Sequence, residues 1–437
     1  MTSKTNSTGA AMHDLMRRLF PINRSLTGDG VRQTLDILGE HIPLNIHEVP
    51  TGTQAFDWTV PQEWRIREAW IKDLQGNTIV DFQDSNLHIW GYSTPVDAVV
   101  SRRELLDHIR TLPELPQAIP YVTTYYNRNW GFCLSHQQIQ DLNHEQYRVF
   151  IDSELFDGHL TYADLVIPGR RQQEVLFTTY TCHPSMANNE LSGPVVNTFL
   201  ARWLLQEERE YTYRFVFAPE TIGAIVYLSR HLEHLKQHMV WGSNVSCVGD
   251  HRAHTLIHSR QGDTYADKLM TFCMAQRGIK HVDHPYLLRG SDERQYCSPG
   301  VDLPYISFSR TAFDDYPEYH SSLDNLDFVS PEGLETSLEF LQFCIRVHEA
   351  NRRWKVTCLC EPQMGKRNLY PKVATRDTPD KLRKMKDFLA FADGENDVLD
   401  ICSICNIPFD DTGDIISRLL EAQLLTEETA TPARKNT

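Results

Sequence analysis

The sequence predicts an α/β protein: a sheet of strands interleaved with helices, a mainly β module set into it, and a group of short helices at its end. Three observations support this. From Tyr147 onward, short apolar runs alternate with longer stretches of helical periodicity, the order in which strands and their covering helices succeed one another in such sheets. Between Phe56 and about Gln140 the chain is instead dense in aromatic residues and prolines. From about Glu361 it consists of short helical stretches separated by tight turns.

Taken in order, residues 10–20 are amphipathic and end at Pro21, and Ser25-Leu-Thr-Gly-Asp-Gly30 supplies turn and capping residues before a second helix running to about 38. The aromatic stretch, with Trp58, Trp64, Trp70, Trp90 and Trp130, contains short β-like runs and turn signals such as Gln75-Gly-Asn77, hence the β module. Val149-Phe-Ile151 and Ala163-Asp-Leu-Val-Ile167 read as a hairpin about Asp157-Gly158. Glu174-Val-Leu-Phe-Thr-Thr-Tyr180 is the next strand, followed by a helix over 192–205, a strand over 213–219 and a helix over 223–235. The terminal stretch reads as helices over 381–391, 397–405 and 410–424, the outline of a helix-turn-helix or winged-helix unit. Its second and third helices and their flanks carry Glu395, Asp397, Asp400, Asp410, Asp411, Asp414 and Glu421 against Arg418. Phosphates would be repelled by that charge, so packing or self-association through this domain is expected rather than DNA reading.

A chain of 437 residues suffices for two or three domains, and 41% hydrophobic with 23% charged residues describes an ordinary globular protein. The balance of 43 basic against 58 acidic residues leaves −15, which disfavours nucleic acid and anionic membranes as partners. Met1-Thr-Ser-Lys-Thr-Asn-Ser-Thr-Gly9 lacks the apolar stretch of a signal peptide, and no later run is long enough to span a bilayer, so a cytoplasmic location is expected. Ten scattered cysteines read as reduced thiols, with Cys402 and Cys405 at a helical spacing that turns them toward a core.

Chemistry-bearing residues concentrate first in Thr181-Cys-His-Pro-Ser-Met-Ala-Asn-Asn-Glu-Leu-Ser-Gly193. A strand that ends on a histidine, then a polar loop with amides and a carboxylate, then Ser-Gly opening an apolar helix, is a common way to assemble a metal-hydrolase site, and it makes His183 the first ligand candidate. Glu220 follows the next strand, Asp250 follows Val245-Ser-Cys-Val-Gly249, Asp292 and Glu293 stand in Gly290-Ser-Asp-Glu-Arg294, and His320 and Asp324 stand in Tyr319-His-Ser-Ser-Leu-Asp-Asn325. Each is weak alone; their order carries the weight. The segment 121–132, with Tyr121, Tyr125 and Tyr126, reads first as core of the β module, and as the alternative an aromatic wall lining a pocket at a domain junction.

In that order the residues resemble the zinc aminopeptidase and carboxypeptidase clan with co-catalytic metals. His183 matches the clan's first ligand, Glu220 its general base, and His320 with Asp324 its late histidine segment. Leu19-Phe-Pro-Ile-Asn-Arg-Ser-Leu-Thr-Gly28, Cys182-His-Pro-Ser185 and the 319–325 block resemble more closely a bacterial aminopeptidase-like family with an inserted domain and a C-terminal winged helix. The resemblance implies a three-layer mixed sheet of the phosphorylase/hydrolase-like type over 1–50 and 145–360, an inserted β domain over 51–144 and a winged-helix domain over 361–437. It also implies a Zn2+-dependent amide or peptide hydrolase acting on a small peptide or aminoacyl conjugate with a free amine. Three positions depart from the clan. Asn189 stands where a bridging aspartate belongs, Thr221 where a second glutamate would bind, and Ser246 near a strand-end aspartate. Neutral residues do not supply the charge that holds two dications together, so one Zn2+ rather than two is expected, on His183, His320 and Glu190. Glu220 is then the general base, Asp324 a support for the His320 ring, Asn189 an outer contact, and Asp250, Asp292 and Glu293 either substitute ligands or contacts to a substrate ammonium group. The alternative is a binding or regulatory protein that kept the fold after losing its metals.

Overall fold

Every residue of the strand Glu174–Tyr180 is buried, as a run apolar on both faces requires: it must lie inside a sheet covered on both sides. In the computed structural model, which describes residues 7–370 and 378–428, it is a central strand of an eight-stranded sheet. The order is Asn45–Pro50, His159–Ile167, Thr212–Ala218, Glu174–Tyr180, Met239–Val245, Tyr305–Ser309, Thr255–Ile257, Val282–His284. The four middle strands, Thr212–Ala218 to Tyr305–Ser309, are parallel, and the antiparallel pairings lie to either side of them. A single carboxylate interrupts the apolar run. Glu174 is answered across the ladder by Arg214, whose Nε and Nη2 donate to it at 2.8 and 3.1 Å.

Helices cover both faces. On one, the helix Ile222–His238 buries Ile222, Ile225, Val226 and Leu235 in a cluster with Leu160, Tyr162, Leu176, Val216 and Tyr305. On the other, the helix Ser192–Leu204 lies over Thr179, of opposite parity to Leu176 and therefore on the opposite side of the strand, and the helices Thr8–Leu19 and Asp29–Gly39 pack against it. This is the expected three-layer arrangement.

Two readings of the sequence need correction. The segments about Asp157-Gly158 are not a hairpin. Gln146–Phe156 pairs with Glu63–Lys72 and Val96–Ser101 in a separate four-stranded antiparallel sheet completed by Thr78–Asp81, whereas His159–Ile167 enters the eight-stranded sheet. Their burial explains the split: Gln146–Phe156 alternates in and out along most of its length, while His159–Ile167 is almost wholly buried. The β module therefore extends to 156 and not 144, and it starts near Glu63 rather than 51, because Ala55 and Val60 are buried in the main core. Most of its aromatic residues, Trp64, Tyr92, Phe132 and Tyr147 among them, form the module's own core.

The chain divides into two compact units, Met1–Asp267 with His281–Leu341, and Lys268–Lys280 with Gln342–Thr437. The second contains the helices Thr378–Phe391, Val398–Cys405 and Phe409–Glu421. Asp397 caps the middle helix reciprocally with Asp400, and Asn406 ends it in the left-handed region. Arg353–Val356, assigned from sequence to the catalytic domain, instead forms a three-stranded antiparallel sheet with Asp393–Asp397 and Leu425–Glu428. The C-terminal domain thus begins before 361. Among the described residues no helix is long and apolar enough to cross a membrane.

Gly193 lets the helix Ser192–Leu204 sit directly on the sheet: an added Cβ would stand 2.2 Å from the Val245 carbonyl oxygen and 2.4 Å from Thr179 Oγ1. Gly193→Ala is expected to destabilise the protein by at least about 1–3 kcal/mol, the usual cost of overpacking a core, read as a lowered urea midpoint.

Candidate functional site

Residues that follow the parallel strands meet at the carboxyl edge of the sheet, called the cleft below, where side chains of such sheets converge on ligands. His183 follows Glu174–Tyr180 and Glu220 follows Thr212–Ala218, and the His183 Nε2 lies 3.8 Å from Glu220 Oε2. The other ring nitrogen, Nδ1, meets Glu190 Oε2 at 2.8 Å and the Cys182 thiol at 3.4 Å. Burial opposes charge on the ring, but Cys182, Tyr121 and Glu190 outweigh it and hold His183 well above the usual histidine range. Burial pushes the Cys182 thiol itself up to about 11, so it stays protonated.

Glu190 reaches this place because Ala187–Leu191 forms a wide π-type turn, all five residues buried, before the helix begins. Asp324 holds the turn. Its carboxylate accepts from the Asn188 and Asn189 amides at 2.6 and 2.8 Å, and its carbonyl accepts from the Ala187 amide at 2.9 Å. It is therefore committed to tying two loops together rather than to the His320 ring. Arg24, fully buried, sits behind the turn: its Nε donates to the His183 carbonyl at 2.8 Å and lies 3.8 Å from Glu190 Oε1, and its Nη1 donates to the Leu19 carbonyl at 2.8 Å. Burial lowers this guanidinium to about 10 against the pull of Glu190, which leaves it charged at neutral pH.

The His320 ring lies 5.2 Å from the His183 ring, stacks on Tyr319 at 3.9 Å and meets the edge of Tyr121 at 5.3 Å. Tyr121 comes from the β module, and its amide donates to the His320 carbonyl at 2.8 Å. The His320 Nε2 is buried without a hydrogen-bond partner. Burial, and then the His183 charge, pull this imidazole down to about 3, so it is neutral.

Beyond Glu220 the backbone is strained: Thr221 has φ 64° and ψ −77°, a region costly for a β-branched residue. Asp292 accepts from the Thr221 amide at 2.7 Å and Arg294 donates to its Oγ1 at 2.7 Å, with Arg294 Nη2 4.0 Å from Glu220 Oε1. Burial raises Glu220 above the usual carboxylate range despite His183 and Arg294. Asp292 is raised well above it, by burial and then by the Glu220 charge.

Two predicted residues are used elsewhere. Asp250 accepts from Thr311 Oγ1, Arg252 N and Asn188 Nδ2 at 2.7, 2.8 and 3.1 Å. Glu293 accepts from Ser307 Oγ, Gly290 N and Ser291 N at 2.6, 2.7 and 2.9 Å. Both hold loops and leave little for a ligand. Sequence reasoning missed Arg24, Cys182 and Arg294, although Arg24 and Cys182 lie in the very blocks that carry the resemblance.

The family described as "Domain of unknown function (DUF4910)" matches residues 13–351. The chain belongs to this family. A winged helix-turn-helix matches residues 352–427, in agreement with the strand at Arg353–Val356. A Clostridium acetobutylicum protein that bears the provisional name of a polysaccharide biosynthesis protein with an aminopeptidase-like domain is 42% identical over 399 residues, 91% of this chain and 92% of its own. The crystal structure of a candidate peptidase from Clostridium acetobutylicum superposes with a TM-score of 0.91 at 39% identity, covering 97% of each chain. A zinc aminopeptidase from Bacillus subtilis shares the fold, with a TM-score of 0.56 at 11% identity over 78% of this chain and 94% of its own. The DUF4910 unit thus has the aminopeptidase-like α/β fold and is followed by a winged helix.

The donors present do not fit two metals. Asn189 donates its amide to the Tyr180 hydroxyl at 2.9 Å, and Thr221 is bonded to a guanidinium that already brings positive charge to that side of the cleft. They do fit one. His320 Nε2 and Asn189 Oδ1 are buried without partners, a state that costs roughly 1–3 kcal/mol each unless something satisfies them. The His183 Nε2 faces the cleft because Glu190 occupies the other nitrogen. Glu190 Oε2 thus backs the His183 Nδ1, while its Oε1 is buried without a hydrogen-bond partner. Among the described residues the donors closing within 4.8 Å of one another are Cys182, His183 and Glu190, but Arg24 already neutralises that group.

Arg24→Ala would strand a buried carboxylate and is expected to cost roughly 3–5 kcal/mol of stability, measured by urea unfolding. His320 supplies a pH dependence. Its folded pKa of about 3 lies below the ordinary histidine value of 6.5, so the unfolded chain binds the extra proton between them. In metal-free protein this contribution to stability is complete above about pH 6.5 and is lost as pH falls toward 3, and the ring's NMR signal stays that of a neutral imidazole at pH 5. His320→Asn should flatten that part of the stability profile.

Proposed function

We propose that the protein is a mononuclear zinc-dependent hydrolase of amide bonds, acting on a small peptide or aminoacyl conjugate with a free amine. The observation that carries this reading is the grouping of His183 Nε2, Glu220 and the partnerless His320 Nε2 in one cleft. His183 and His320 would hold the ion, with Asn189 Oδ1 as a neutral third donor. When bound, the ion supplies Lewis acidity toward a carbonyl oxygen and lowers the pKa of a bound water.

The remaining steps belong to the chain's own residues. Glu220, raised by burial, is a stronger base than an exposed glutamate and so suited to take a proton from water and return it to the leaving amine. Glu190, 2.8 Å from Nδ1, fixes the direction of the His183 ring, which would give up its Nε2 proton on taking up the ion. The name of the Clostridium acetobutylicum relative suggests a setting, and an amide-bearing intermediate of polysaccharide synthesis is proposed as the substrate class.

Metal analysis of purified protein and of His183→Ala, His320→Ala and Glu220→Gln variants tests this. Wild type is expected to carry one zinc, the histidine variants to lose it, and Glu220→Gln to retain it while turnover of an amide panel falls about 10²–10⁴-fold. Because Glu220 is raised, the acid limb of the pH–rate profile should lie above the usual glutamate range. Unchanged metal content and turnover in all three variants would reject the proposal. A metal-free binding protein, favoured by the neutral Asn189, Thr221 and Ser246, predicts instead no zinc and no turnover in wild type.

A further inference from the structure

A second concavity, of about 390 Å3, opens beside the cleft. Its walls are Phe20 and Asn23 of the N-terminal segment, the loop 82–87 of the β module, and Ser185 and Ser322, each two residues beyond one of the cleft histidines. The size lies toward the lower end of the roughly 300–1,000 Å3 of small-ligand pockets. What distinguishes it is its chemistry. Amides, hydroxyls and a carboxylate alternate with the rings of Phe20 and Phe82, and none of the lining residues is Lys, Arg or His.

That lining excludes several ligand classes. A phosphate or carboxylate would find no counter-charge there, and an apolar ligand would strand the amides. A neutral polyhydroxyl ring satisfies both halves of the wall, because amide groups can donate and accept toward neighbouring hydroxyls while C–H faces cover the aromatic rings. Asn86 gives this direction. Its Nδ2 makes only a long 3.4 Å bond to the Pro21 carbonyl, which leaves donor capacity that a hydroxyl would take up. The pocket's edge is built rather than loose: Ser185 is held at φ 39° with its Oγ donating to the Phe20 carbonyl at 2.8 Å.

We propose that this pocket binds a neutral sugar ring, the polyhydroxyl part of a substrate whose amide lies at His183. The link between sugar and amide rests on the hydrolase reading above; the sugar site does not.

The test is saturation-transfer NMR and calorimetry on the full chain with methyl glycosides of glucose, galactose, mannose and N-acetylglucosamine, and with glucose 1-phosphate as the anionic comparison. At least one neutral glycoside is expected to bind in preference to the phosphate. Asn86→Ala should weaken it about five- to tenfold, the worth of one neutral hydrogen bond. Gln83→Ala, at an exposed wall position, should weaken it in the same direction and guards against a folding defect at Asn86. No binding of any glycoside, tighter binding of the phosphate, or wild-type affinity in both wall variants would overturn the proposal. Binding is read without metal or turnover, so a protein that lacks zinc and hydrolysis can still confirm the sugar site, and one that hydrolyses amides can still refute it.

Discussion

Arg24 carries its guanidinium fully out of solvent and spends its bonds on two backbone carbonyls, those of Leu19 and His183, while its charge faces Glu190. A lone buried cation would cost several kcal/mol in desolvation, and so would a lone buried carboxylate. Each is tolerable because of the other. The carboxylate then has one oxygen turned to the cation and one turned to His183 Nδ1, and this second contact decides which imidazole nitrogen faces the cleft. The N-terminal segment, far from the chemistry in sequence, thereby helps to set the direction of the central histidine's ring. The direct bond from Arg24 to the His183 carbonyl fixes the backbone of the same residue, so one side chain acts on both the position of His183 and the carboxylate its ring faces.

Charge explains how the cleft differs from a two-metal site. An arrangement with two dications needs carboxylates at the positions of Asn189 and Thr221, and here one is an amide and the other is bonded to Arg294. Two unit charges about 4 Å apart interact by roughly 4 kcal/mol at the effective dielectric near a protein surface. A dication at that distance from Arg294 would meet about twice that repulsion with no compensating carboxylate from residue 221. The same guanidinium lies 4.0 Å from Glu220 and tempers the rise in its pKa without cancelling it. The His320 imidazole is neutral, and its Nε2 and the Asn189 amide oxygen are each buried and unsatisfied.

The strand Glu174–Tyr180, the histidine after it and Glu220 were legible because a buried parallel strand must be apolar on both faces and must deliver the next residues of the chain to the carboxyl edge of the sheet; His320, which lies beyond a loop after Ser309, was legible only through the order of the sequence blocks. Glu190 was legible as a residue of the site but not in its role. A π-type turn rotates side chains away from the spacing of an ordinary helix, and nothing in Asn-Asn-Glu announces that turn. Arg24 was out of reach for a different reason: its partner lies 159 residues away, and no local pattern reports a contact of that span. The misread hairpin has a third cause. Asp157-Gly158 signals a reversal correctly, but a turn signal does not say whether the strands on either side share a sheet, and here the chain leaves one sheet and enters another. Asp250 and Glu293 resembled ligands because a carboxylate that ties loops and one that binds a cation look alike until the backbone amides around them are placed.

The cleft also depends on strain imposed from outside its own loops. Ser185, Thr221, Cys247 and His320 all have positive φ, and none is glycine. Such conformations cost of the order of 1–3 kcal/mol each and persist only where surroundings over-determine them. The surroundings are different for each. Ser185 is tied to the Phe20 carbonyl, Thr221 to Asp292 and Arg294, the Cys247 carbonyl to the Arg310 amide, and the His320 carbonyl to the amide of Tyr121 from the β module. Four loops are thus clamped by the N-terminal segment, the 290–294 turn, the end of the Tyr305–Ser309 strand and the inserted module. A sheet alone would deliver the same residues to its carboxyl edge, but without these clamps the loops would relax to ordinary backbone and His320 would lose the position that sets its ring beside His183. The inserted module therefore contributes Tyr121 as a structural part of the site, which accounts for an aromatic segment that meets the cleft at one ring while the rest of it serves its own core.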